Sequence, residues 1–254
     1  MPLRNPILLV WAIGLGAAIA LDRHCAPGGN FDLAHWSLQL PYGDGGNIRT
    51  IKSQDLQGRD GFTGTTFYTD RTTGQMVLTA PGNPNITGCT TTSGSIHCRT
   101  ELRQVHRSNG RNIWWSPRGI NGLKVKMTVV KPDDGTRGTV IGQVFASGPL
   151  AEMYYSQRGE IVVGVKAGPG ERQTIVGVGH VAVGTQFTYE LSYSNNVLFV
   201  TINRKRTRLD TSGYDSPPSY FKVGNYNQAR SGEDSEVHIA AISVLHKPSH
   251  GARG

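Results

Sequence analysis

Cys98-Arg99-Thr100-Glu101-Leu102-Arg103-Gln104-Val105 is the most informative run in the chain. It alternates as a strand half-buried in a sheet does. A period of two sets Arg99, Glu101 and Arg103 on one face and Thr100, Leu102 and Gln104 on the other. Two guanidinium forks flanking a carboxylate form a rigid cationic row, suited to a ligand with regularly spaced carboxylates. Taken alone, the row reads better as a solvated face with an internal ion pair. A second stretch of the same kind tips the balance, Tyr220-Phe221-Lys222-Val223-Gly224-Asn225-Tyr226-Asn227-Gln228. There one parity aligns Tyr220, Lys222, Gly224, Tyr226 and Gln228.

Outward from these two, the chain reads as short strands separated by turns. Phe31–Pro41 is expected to dock on the core through Trp36, Leu38 and Leu40. Phe62–Thr69, Gln75–Ala80, Leu123–Val129, Thr139–Phe145, Glu160–Lys166 and Thr174–Val183 continue the pattern. Phe187–Tyr193 and Val197–Ile202 flank Ser194-Asn195-Asn196, a hairpin turn signal, and Ser235–Leu245 closes the series. No helical period stands out beyond the N-terminus. With 33 glycines among β-branched runs, the pattern predicts an all-β fold, an antiparallel sandwich or jelly roll. No repeat or linker interrupts it, so residues 21–254 are expected to form a single domain.

Met1–Ala20 reads as a secretory signal. Arg4 supplies the positive charge, Ile7–Ala20 is apolar, and Ala18-Ile19-Ala20 is a small-x-small cleavage site. The run is short for a membrane span, so a secreted, extracellular protein is expected, with no membrane partner. The formal charge is +8, and loss of Arg4 with the signal leaves +7. A basic surface favours polyanionic partners, and secretion makes acidic polysaccharide more natural than nucleic acid. The basic run Arg204–Arg208 follows a strand and reads as a solvated hairpin edge. In an oxidising compartment Cys89 and Cys98 can close a short loop, leaving Cys25 over. The cysteines and scattered histidines show no metal-ligand spacing, and no cofactor is expected. Asn85-Ile86-Thr87 is a glycosylation sequon.

Arg99-Thr100-Glu101-Leu102-Arg103, Gln143-Val144-Phe145 and Tyr220–Gln228 together resemble the alginate lyase family of polysaccharide lyases, family seven. That family carries an R-(T/S)-E-(L/V)-R strand, a Q-(I/V)-H strand and a Y-F-K-x-G-x-Y-x-Q strand. The resemblance covers most of the mature chain and implies a β-jelly roll with a concave groove. It also implies β-elimination on uronate chains by a monomeric enzyme. Arg99 and Gln143 would then hold the carboxylate and Tyr226 would exchange protons with substrate. Arg103, Lys222, Gln228, Phe145 and Glu101 would line the binding groove, with Glu101 orienting the arginines. Nearby cations, Lys222 and Arg99, are expected to lower the Tyr226 pKa.

Phe145 departs from the motif, because a phenyl ring where the family has histidine can neither take nor give a proton. His97 shares the parity of Arg99 and is a replacement if it reaches the groove, but it reads equally as a polar strand-end residue. A non-catalytic jelly roll that binds acidic chains is the rival reading. A glycoside hydrolase ranks below both, since it needs two spaced carboxylates and only Glu101 sits credibly.

Overall fold

The computed structural model describes residues 20–44 and 47–248. The expected signal segment therefore lies outside the described residues, Ala20 apart. Along the chain run β1 (Trp36–Gln39), β2 (Thr50–Ile51), β3 (Phe67–Thr69), β4 (Met76–Ala80), β5 (Arg99–Gln104), β6 (Ile120–Lys131), β7 (Thr139–Phe145) and β8 (Pro149–Tyr155). They continue as β9 (Glu160–Val165), β10 (Thr174–His180), β11 (Phe187–Ser194), β12 (Val197–Ile202), β13 (Lys205–Leu209), β14 (Tyr220–Tyr226) and β15 (Ser235–Lys247).

These strands make an antiparallel β-jelly roll of two packed sheets. One has the order β10-β9-β8-β7-β14-β5-β1-β2, the other β13-β12-β11-β6-β15-β4-β3. Among the described residues, three single helical turns, α1 (Pro27–Asn30), α2 (Ser53–Leu56) and α3 (Pro84–Thr87), sit in the connections. They are too short to carry the periodicity that marks a helix in sequence. Pro149–Tyr155 was not expected as a strand, yet Met153 and Tyr155 are fully buried on one of its faces while Glu152 is half-buried on the other. Asn195 and Asn196 take φ of 50° and 62°, the left-handed pair that a two-residue hairpin requires between β11 and β12. The basic run becomes the edge strand β13, with Lys205, Arg206 and Arg208 exposed.

The core lies between the sheets. Leu102, Val144, Met153, Phe221 and Val223 are fully buried, as are Leu78, Val125, Tyr189 and Val237 from the other sheet. Each such side chain contributes about 2 kcal/mol through removal of apolar surface from water. Two buried amide side chains tie this layer together. Asn225 Nδ2 donates to Leu78 O and Ser235 O, tying β14 to the opposite sheet. Gln104 Oε1 accepts from Trp115 Nε1 at 2.9 Å and from the Phe221 backbone N–H at 3.2 Å. Its Nε2 therefore faces His246 Nε2 at 2.6 Å, and His246 Nδ1 meets Asn121 Oδ1 at 2.8 Å.

Candidate active site

β5, β14 and β7 lie side by side, so the three sequence motifs meet on the outer face of the eight-stranded sheet. Their register sets the polar side chains in rows across the strands. Arg103 pairs with Lys222, Lys222 with Gln143, and Gln143 with Glu152 of β8. Further along, Arg99 pairs with Tyr226, Tyr226 with Val140, and Val140 with Tyr154. Register shifts in β14 between Val223 and Tyr226, and in β7 between Val140 and Gly142, let both rows face outward. Gly224, opposite Glu101, has φ of 148°, and a Cβ there would meet Thr100 O at 2.6 Å. Only glycine lets β14 lie this close to β5.

Glu101 is the hub beneath the rows. It is 1% exposed; it accepts from Gln143 Nε2 at 2.5 Å and from Lys222 Nζ at 3.3 Å, with Arg99 Nη1 at 3.5 Å. Its negative charge offsets the cost of burying Lys222 and Arg99, each 5% exposed. Burial pulls the Lys222 pKa down, and Glu101 opposes that shift. Arg103 stands apart from the carboxylate, its guanidinium 4.4 Å from the Tyr220 ring centre. The Nε atoms of Arg99 and Arg103 and Nδ1 of His97 are buried without a hydrogen-bond partner.

The two ends of the rows differ. At the Tyr226 end, Arg99 lies over the phenol ring at 4.0 Å and the hydroxyl bonds Ser95 Oγ at 2.7 Å. His97 does reach the groove, meeting Tyr226 edge to face at 5.9 Å. It precedes β5 rather than belonging to it, and burial followed by the Arg99 charge lowers its pKa, which keeps it neutral. Tyr226 moves opposite to expectation. Burial raises its pKa and outweighs Arg99 and the Ser95 hydrogen bond, which pull it down; Lys222 is engaged with Glu101 instead. Gln228 lies just past the strand, donating through Nε2 to Tyr226 O. Beside it a cleft of 460 Å³ opens between His97, Arg137, Tyr154 and Arg230.

At the other end Phe145 pairs with Tyr220, the first residue of β14. Their rings are 5.2 Å apart, Lys222 Nζ is 4.5 Å from the Phe145 ring centre, and Trp114, 48% exposed, stands 5.0 Å from Tyr220. This end is a platform of aromatic faces and cations, and burial pushes the Tyr220 phenol up to about 12.

Cys89 and Cys98 are bonded, with Cα atoms 6.1 Å apart, and Cys25 is free and buried. Sequence reasoning missed Ser95, Trp114, Tyr154 and Glu152. The first two sit in irregular segments, where parity says nothing about direction. The other two had a faint signal in the alternation of Ala151 to Tyr155.

A jelly roll that keeps a tyrosine and its cations on the open face, with their counter-charge buried beneath, has the build of a polysaccharide lyase. The alginate lyase family model matches residues 31–246, and the chain belongs to that family, polysaccharide lyase family 7. An alginate lyase from Klebsiella pneumoniae is 26% identical over 291 residues, covering 90% of this chain and 92% of that protein. Alginate lyase A1-II′ superposes with a TM-score of 0.76 at 29% identity, over 87% of this chain and 99% of the other. Variants of that enzyme have been solved with product (GGG) and with substrate (GGMG). An alginate lyase from Pseudomonas aeruginosa shares the fold at a TM-score of 0.74 and 24% identity, over 85% of this chain and 100% of the other.

Proposed function

We propose that the chain cleaves β-1,4-linked polyuronates, mannuronan or glucuronan, by β-elimination, leaving an unsaturated uronate end. One observation carries the reading: Tyr226 and His97 are adjacent at one end of the rows, while Phe145 occupies the other. In β-linked mannuronate and glucuronate the C5 hydrogen and the leaving O4 lie on the same side of the ring. A single proton carrier serves both. In α-linked guluronate they are anti, which favours a base and an acid on opposite sides.

The C5 hydrogen is a poor acid until the charge growing on the carboxylate is stabilised. Arg99 and Gln143, both held by Glu101, are preorganised for that task. Tyr226, as phenolate, takes the C5 proton; the C–H electrons form the C4–C5 double bond as the C4–O4 bond breaks. Tyr226 then returns the proton to O4. Arg99, against its ring, favours the ionised form. His97 is the second candidate proton carrier. Arg103 and Lys222 would meet carboxylates of neighbouring sugars, and the Phe145–Tyr220–Trp114 platform would take an apolar sugar face. Secretion fits the disulfide, since oxidising compartments favour one.

Initial rates on mannuronan, glucuronan and guluronan, read from ultraviolet absorbance of the unsaturated product, test the reading. Either β-linked polymer is expected to be the fastest; guluronan in first place would refute it. Parallel rates for His97→Ala and Phe145→His report whether a second base matters.

A further inference from the structure

Among the described residues, the Tyr226 hydroxyl has one hydrogen-bond partner, Ser95 Oγ at 2.7 Å. Ser95 is not in a strand. It lies in the loop that the Cys89–Cys98 disulfide closes. Its Oγ donates to His97 O at 3.2 Å and accepts from His97 N at 3.1 Å. A hydroxyl has one hydrogen, and either oxygen of the pair can supply the one between them; with the Ser95 hydrogen on His97 O, Tyr226 is the donor. The phenol proton thus points to the loop, and the remaining lone pairs of the oxygen are free for the groove. The same loop reaches the neighbouring cation, since Arg99 Nη2 donates to Thr92 Oγ1 at 3.5 Å.

We propose that Ser95 is a positioning residue for Tyr226: it aims the phenol oxygen at rest and turns its own hydrogen onto that oxygen once the phenol has lost its proton to solvent. The turn needs only a rotation about the Ser95 Cβ–Oγ bond, from His97 O to Tyr226. A hydrogen bond to an ionised oxygen is about twice as strong as one to a neutral group, so the exchange favours the phenolate. The disulfide supplies the rigidity that keeps a loop residue in place. The inference rests on the reading of Tyr226 as the proton carrier.

The other groups that face Tyr226 are Arg99 and Glu101 from β5, Glu152 from β8 and His97 from the loop. Arg99 favours the phenolate, while the two carboxylates and burial oppose it. Removing the Ser95 hydroxyl takes away one of two stabilising contacts. The rise of kcat with pH should then move to higher pH.

The test measures kcat and KM against pH for wild type, Ser95→Ala, Ser95→Thr and Tyr226→Phe on whichever polyuronate the wild type cleaves fastest. Thermal unfolding serves as the folding control. Ser95→Ala is expected to lower kcat on the order of tenfold to a hundredfold, displace the pH profile upward by about one unit, and leave KM within about twofold. Ser95→Thr, which keeps the hydroxyl, is expected to recover most of the loss. An unchanged kcat and profile in Ser95→Ala, with Tyr226→Phe inactive, overturns this inference and leaves the elimination reading standing. A loss of kcat with no pH displacement and no recovery by threonine also overturns it, since that is the mark of a merely structural loop. Full turnover by Tyr226→Phe overturns the reading of Tyr226 itself. Cys89→Ser is expected to move the profile in the same direction as Ser95→Ala, and a wild-type profile there removes the disulfide from the argument.

Discussion

The two faces of β5 put their polar side chains to different uses. Inward, Gln104 spends its amide on Trp115, Phe221 and His246, and His246 passes the chain on to Asn121. Outward, Glu101 is saturated, but the arginines on either side of it keep unpartnered Nε donors. A satisfied buried network fixes a fold, because any missing partner leaves a desolvated group. A charged row on the face of a groove can be turned to a ligand instead. Polarity alone therefore does not mark a site; cations gathered on one sheet face over a buried counter-charge do.

The largest expected effect strikes the outer face. Tyr226→Phe should lower kcat on the order of a thousandfold while binding of the polymer stays nearly intact, since only proton transfer is lost. Steady-state rates paired with calorimetric binding check this, and retention of most of the turnover would remove Tyr226 from the chemistry. Arg99→Ala should cost on the order of a hundredfold in kcat/KM, as for loss of one preorganised donor to developing charge. Arg99→Lys should recover little of it, because an ammonium cannot reproduce the fork. Lysine rates near wild type would mean that net charge alone matters here.

The inner face should respond in stability instead. With Gln104 Oε1 already engaged, its Nε2–H faces His246 Nε2, leaving no acceptor for an added proton. Burial lowers the His246 pKa from 6.5 to about 4, and the charge of His35 adds to the shift. Between those values the unfolded chain binds the proton and the folded chain does not. Stability from this residue is therefore intact above pH 6.5 and lost as pH falls toward 4. From about pH 7 to about pH 4.5 the loss is roughly 2 kcal/mol. Urea midpoints at the two pH values should show a shallower fall for His246→Gln than for wild type. Parallel falls would clear His246 of the effect.

The smallest effect belongs to the other sheet's edge. Replacing Lys205 and Arg208 of β13 with serine should leave KM within about twofold and stability within about 0.5 kcal/mol, as for ordinary surface positions. A several-fold rise in KM would mean the polymer reaches around to that edge and is not confined to the groove.

Much of this was legible before any coordinates. β5, β7 and β12 fall where alternation put them, and β14 begins as expected, because charged or apolar side chains at period two leave little choice of face. What stayed hidden had physical reasons. β8 begins at Pro149 after Gly148, residues that read as a loop, and it carries Glu152 and Tyr154 to the site. Parity could place Glu101 among the arginines but not show how deep it lies, since depth depends on which strands flank it. The Tyr226 pKa was expected to fall because its cations could be counted in sequence; the burial that outweighs them could not. Ser95 escaped notice for a simpler reason, that loops have no period.

Glu101 and Lys222 meet although 121 residues separate them along the chain. Their strand pairing closes a long loop, and such pairings pay chain entropy before contacts return it, so folds built on them form slowly. β14 is also the strip between β5 and β7, each of which shows an unfilled edge until it arrives. A ribosome adds about 5–20 residues per second, so those edges stay open for several seconds of synthesis at the least. Catalysis cannot precede that closure. The first turnover of a newly made molecule thus reports when this pairing has closed, readable by stopped-flow refolding into substrate.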